Sequence, residues 1–143
     1  MQKSLIIIII LFFSINLKAQ NSGLPDVVNN AFIEKFPKAK KVKWSNENID
    51  DFQAEFSYDS LTESTLFSSK GEWQQTSINV PIPILSHLIV VDIKKKYPKQ
   101  KMNKIVKIEN NKKQIYYEIE LKKNDELEYV NYDESGNEIK TLK

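Results

Sequence analysis

The residues able to do chemistry are few. His87 is the sole histidine of the chain, and a general base or metal ligand would need partners converging on it. It falls in the first turn of an expected helix, where a solvated polar residue is ordinary. Acidic pairs stand at Asp50-Asp51, Asp125-Glu126 and Asp133-Glu134. None shows the twelve-residue oxygen-ligand spacing of an EF-hand, and all fall in expected turns, where Asp and Asn favour local backbone bonds. Turn chemistry therefore explains them better than calcium binding or glycoside cleavage. The chain has no cysteine, which removes thiol nucleophiles, Cys-based zinc sites and disulfides. No catalytic, cofactor-binding or metal-binding set emerges, and the reading is of a protein that is not an enzyme.

What remains are aromatics and lysines. Tyr116 falls on the opposite side of its strand from Tyr117 and should point away from the core. Tyr58, Trp73 and Tyr129 are expected to join it on open sheet surface or at hairpin tips, as partner-binding residues, since exposed Tyr and Trp dominate protein interfaces. Lys38, Lys40, Lys41 and Lys43, and again Lys94, Lys95, Lys96, Lys99 and Lys101, follow or close the two helices, where cations complement the helix dipole by about 0.3–1 kcal/mol each. Every basic residue is lysine. Without arginine there is no guanidinium fork for phosphate or base edges, which argues against a nucleic-acid partner.

The elements that must position these residues come in two sets. LPDVVNNAFIEKFP at 24–37 matches LSHLIVVDIKKKYP at 85–98 at a shift of 61. Leu24, Val27, Val28, Ala31, Phe32 and Phe36 form one helical stripe, and Leu85, Leu88, Ile89, Ile93 and Tyr97 form its counterpart. Pro37 and Pro98 stop the helices. Strand-like alternation follows in Phe52, Ala54, Phe56 and Tyr58, then in Tyr117, Ile119 and Leu121. Phe67 to Gly71 matches Tyr132 to Gly136 at a shift of 65, with glycine supplying the positive φ of a hairpin. The expected elements are helix 25–36, strands 40–46, 51–58, 62–68 and 72–79, helix 86–97, and strands 102–110, 114–122, 127–132 and 138–142. The fold class is α+β: two tandem helix-plus-antiparallel-sheet repeats of about four strands each, over residues 20–80 and 81–143. Between them Pro81 and Pro83 should hold an extended connector whose isoleucines dock against the body.

Lys3 and the apolar run Leu5 to Phe13 read as a secretory signal over residues 1–19, cut after Ala19. The run is too short for a membrane span, which needs roughly 20 apolar residues. With Lys3 and Lys18 removed, 19 lysines balance 19 acidic residues. A neutral mature chain argues against general nucleic-acid or anionic-membrane binding and against membrane insertion after cleavage. Residues 24–80 hold 6 lysines and 9 acids, whereas residues 81–143 hold 13 lysines and 10 acids. Such opposite charges could steer a partner or pair copies head to tail.

The order LPxxVxxAFxxxFPxAxxVxW, an aromatic-alternating strand and a hairpin ending in Gly-Glu-Trp73 resembles the PepSY-like exported proteins of Bacteroidetes, which are similar in fold to beta-lactamase-inhibitory protein. The second half departs from the pattern with Ser86 at the helix-proline position and Ile105 where Trp44 sits. The resemblance implies a periplasmic or secreted, non-enzymatic protein that caps a protein partner. The reading adopted is a binding protein of the cell envelope, engaging a protein or peptide through exposed sheet surface. The alternative is an inhibitor of an envelope protease or other hydrolase. An enzyme using carboxylates or His87, and a small-ligand carrier without a cofactor motif, are the remaining rivals.

Overall fold

The computed structural model describes residues 23–140. The leader at 1–19, its cut after Ala19 and the end of the strand expected to reach 142 lie outside the described residues. The order is α1 (Asp26–Lys35), β1 (Lys40–Asn46), β2 (Asp51–Tyr58), β3 (Leu61–Ser68), β4 (Trp73–Asn79), a 3₁₀ turn (Ile82–Ile84), α2 (His87–Lys96), β5 (Lys101–Asn110), β6 (Ile115–Lys123), β7 (Glu126–Asp133) and β8 (Glu138–Ile139). All eight strands form one antiparallel sheet in chain order.

Local chemistry sets the helix ends. Pro25, extended at φ −64 and ψ 140, precedes α1, while the Ser86 hydroxyl accepts the Ile89 amide at 3.4 Å ahead of α2. The helices stop on the same backbone geometry, φ −125 and ψ 62 at Phe36 and φ −124 and ψ 55 at Tyr97. Pro37 and Pro98 enforce it, because the ring clashes with a preceding residue in the α region. The connector differs from expectation. Pro81 and Pro83 permit a 3₁₀ turn, closed by Ile84 N–H to the Pro81 carbonyl at 3.0 Å, and Ile82 and Ile84 stand exposed rather than docked. Val80 and Leu85 pack in their place.

Each helix buries a narrower stripe than its sequence allows. Val28 and Phe32 of α1, and Ile89 and Ile93 of α2, are buried, whereas Val27 and Leu88 are 49% and 63% exposed. The helix seats on the sheet along one i, i+4 ridge, and the residue before that ridge falls beside a hairpin glycine. A Cβ on Gly71 would lie 2.8 Å from the Val27 carbonyl oxygen, and one on Gly136 2.9 Å from the Leu88 Cβ. Both glycines hold positive φ, +80 and +89. Their turns are built alike: Gly71 N–H donates to the Ser68 carbonyl at 2.9 Å, and Gly136 N–H to that of Asp133 at 3.1 Å.

Cross-strand partners share a sheet face, so the register assigns the faces. Phe56, Glu63, Ile78, Lys107, Tyr117 and Tyr132 form one row across β2 to β7. One end of that row lies under α1, in a core of Val28, Phe32, Phe52, Ala54, Phe56 and Phe67. The other lies under α2, with Ile89 and Ile93 on Ile105, Ile119, Leu121 and Val130. Both helices therefore cover the same side of a single sheet.

Candidate functional site

The opposite side carries no described helix. Its central row is Glu55, Ser64, Ser77, Ile108, Tyr116 and Asp133, followed by Asn79, Val106, Glu118 and Asn131, then Lys104, Glu120 and Tyr129. The face is divided in character. On β2 to β4 it offers short hydroxyls and amides such as Gln53, Ser57, Thr62 and Ser77. On β5 to β7 it offers Val106 and Ile108, two tyrosines and two glutamates. Val106 and Ile108 are buried, and no described helix lies over them. A dent of about 20 Å³ lined by Glu55, Ser64, Ser77, Asn79 and Val106 is room for a water molecule, far below the roughly 300 Å³ of a small-molecule site.

Two glutamates here have contrasting surroundings. Glu120 accepts the Tyr129 hydroxyl at 2.9 Å and the Asn103 side-chain amide, and it faces Lys104 across the strands. Glu118 lies between Val106 and Asn131 in register. Burial pushes its pKa up, Lys104 pulls it back, and Glu120 adds to the rise. The Tyr116 hydroxyl is raised as well, first by burial and then by the Glu118 charge.

Of the four aromatics expected on this face, the structure brings Tyr116 and Tyr129 to it and not the other two. Tyr58 continues the Phe52, Ala54, Phe56 alternation onto the helix side, with ring contacts to Phe36 at 6.2 Å and Phe56 at 6.4 Å. Trp73 is turned over by a β-bulge. Leu66 pairs with Gln75 but Phe67 pairs with Trp73, so Gln74 is the extra residue that reverses the facing. The Trp73 indole N–H then reaches the Thr76 and Thr65 hydroxyls at 2.9 and 3.1 Å, and the Lys35 ammonium sits 3.8 Å from its ring centroid.

The other candidates disperse. His87 is exposed in the first turn of α2. Asp51 accepts from Asn48 at 2.6 Å and from Gln74 at 2.5 Å, and Asp133 takes the Asn137 amides that close its turn, which lower its pKa. Among the described residues no group of three or more His, Asp or Glu is placed to hold a metal. No described helix is long and apolar enough to cross a membrane. Sequence reasoning missed Glu118 because strand alternation gives it an outward facing but no depth.

A family model described as "Putative beta-lactamase-inhibitor-like, PepSY-like" matches residues 50–140. Among solved structures, a DUF2874 family protein from Bacteroides ovatus superposes at TM-score 0.74 with 21% identity, covering 82% of this chain and 86% of its own. A "putative periplasmic" protein from Bacteroides eggerthii superposes at 0.74 with 14% identity, over 82% and 87%. A BLIP-like protein from Bacteroides fragilis does so at 0.68 with 15% identity, over 82% and 84%. Among curated proteins, none matches this chain.

Proposed function

The chain belongs to the PepSY-like, beta-lactamase-inhibitor-like family, and from that premise we propose that it is an exported, non-enzymatic binding protein whose helix-free sheet face captures a protein or peptide partner. One observation carries the reading. Two helices bury one side of an unbroken eight-stranded sheet, while the other side presents Tyr116 and Tyr129 beside a half-buried carboxylate. Hydroxyl-bearing aromatics on a broad surface suit a protein partner, and a dent of about 20 Å³ does not suit a small ligand. Export rests on the leader at 1–19, and the periplasmic description of the Bacteroides eggerthii protein agrees with it.

We further read the two halves as copies of one helix-plus-four-strand unit that share a sheet. The matched helix stops, hairpin glycines and bulges between Lys40 and Lys43 and between Met102 and Lys104 support this.

The decisive variant is Tyr116→Ala with Tyr129→Ala. It should abolish capture of the partner by the exported protein while leaving the melting temperature within a few degrees. Retained capture by a folded double variant would remove the face from consideration. The family description and the BLIP-like neighbour favour a second reading, inhibition of an envelope hydrolase. Purified protein should then suppress a beta-lactamase or protease at stoichiometric concentration; unchanged turnover across such a panel counts against it.

A further inference from the structure

We propose that the helix-free face recognises its protein partner through a lysine or arginine side chain seated between the Tyr116 ring and the Glu118 carboxylate; this rests on the reading of that face as the interaction surface. Carboxylates on this face differ in how they are matched by cations. Glu55 faces Lys43 across β1 and β2, and Glu120 faces Lys104 while accepting from Tyr129 and Asn103. Glu118 has Val106 and Asn131 as its cross-strand neighbours, and the cation that acts on it is the same Lys104 that faces Glu120. A partly desolvated carboxylate that shares the attraction of Lys104 with a second carboxylate, Glu120, leaves negative charge uncompensated, and a charge-assisted bond from outside offsets it.

The neighbouring group selects the kind of cation. Tyr116 lies two residues before Glu118 on the same strand and the same face, so their Cα atoms are about 7 Å apart. An ammonium or guanidinium held by the carboxylate can also lie within about 6 Å of the phenol ring and gain a cation–π contact. Val106 and Ile108, opposite Glu118 and Tyr116 on β5, keep water sparse around that gap. The aliphatic stem of lysine or arginine suits such an apolar margin, with the charged head on the carboxylate. The burial that raises the Glu118 pKa would be offset by the incoming charge.

The test is a display library of disulfide-closed seven-residue random loops, panned on the immobilised exported protein and on its Glu118→Gln and Tyr116→Ala variants. Lysine plus arginine should rise at least fivefold over the input in loops held by the unaltered protein, return to input frequency with Glu118→Gln, and fall with Tyr116→Ala. Absence of basic enrichment, or enrichment that survives Glu118→Gln, overturns the inference. Amide chemical-shift mapping of a selected loop separates the two levels of failure. Loops that bind at Val106, Tyr116 and Tyr129 without a basic residue leave the face standing and remove the cation. Loops that bind only the helix side, or no loops above the bead control, remove both.

Discussion

The two halves place different chemistry at matching positions. In the first, Phe32 of α1 packs edge-on against Trp44, Phe56 and Phe67 with centroids 5.2, 5.1 and 6.3 Å away. In the second, Ile93 of α2 meets Ile105, Ile119 and Leu121. Volume is distributed differently within the two cores: the first combines large Phe32 with small Ala54, the second smaller Ile93 with Ile119. The polar edges diverge further. Where the first half has Ala31 and Phe67, the second has Asp92 and Tyr132, joined by a hydroxyl-to-carboxylate bond of 2.7 Å. Where Lys35 stacks on Trp73, Lys96 bonds Glu138 at 2.8 Å and Asp92 at 2.7 Å, and the Tyr97 hydroxyl reaches Glu138 at 3.0 Å. Lys35 and Lys96, which align at the shift of 61, hold Trp73 and Glu138, which align at the shift of 65, by ring contact in one half and by ion pair in the other. Backbone geometry is held by the stop prolines and hairpin glycines; the glue between helix and sheet is free to vary.

The largest test of this contrast is a cavity in each core. Phe32→Ala should cost about 3–5 kcal/mol and Ile93→Ala about 2–5 kcal/mol in urea unfolding. Both tryptophans, Trp44 and Trp73, belong to the first half, so their fluorescence follows that half alone. Because β4 pairs with β5 in an unbroken ladder, fluorescence and far-ultraviolet dichroism should give one coincident transition in each variant. Separate midpoints would divide the molecule into independent units.

Alkali should act on the second half next. Tyr97 is pushed up to about 12 by burial and then by Glu138, and Tyr132 is raised by burial and then by its bond to Asp92. The folded protein therefore keeps protons that the unfolded chain loses. That stability is full below the unfolded tyrosine value of about 10 and is lost as pH rises through the folded values. The melting temperature should fall between pH 10 and 12, and Tyr97→Phe with Tyr132→Phe should flatten the fall; an unchanged slope would dissociate the clasp from stability.

Converting one half toward the other gives smaller effects. Tyr132→Phe, which restores the first half's residue type, should cost about 1 kcal/mol by leaving Asp92 short of a donor. Adding Asp92→Ala should recover much of the loss, and a double-mutant cycle without coupling would contradict the bond. Lys35→Gln should cost about 0.5–1 kcal/mol through the lost ring contact. Smallest is Glu118→Gln. A carboxylate with a raised folded pKa opposes folding above that pKa and ceases to do so as pH falls below the unfolded value. The variant should therefore melt slightly higher than the unaltered protein at pH 7 and match it near pH 4.

Much of the scaffold was legible because its signals are local. The stripe of α1, the stop at Pro37, the alternation from Phe52 to Tyr58 and the turn at Gly71 are periodicities and φ requirements that neighbouring residues carry. The observed strands agree with expectation to within a residue or so, apart from the shortened β8 among described residues. The site was legible only in part. Tyr116 and Tyr129 reach the helix-free face as alternation predicts, whereas the bulge at Gln74 sends Trp73 into the first core. A bulge depends on the partner strand, so one strand's sequence cannot announce it.

The sequence by itself determined where helices and strands begin and end, which residues stop them and which side of an unbulged strand such as β2 is apolar, because torsional preference and solvent partition act over a few residues. Tertiary structure alone decided that β4 joins β5, that both helices share a side, that Lys96 meets Glu138 and that Glu118 is half-buried between Val106 and Asn131. Those outcomes depend on register between segments distant in the chain, and a one-residue slip there exchanges every inward side chain for an outward one.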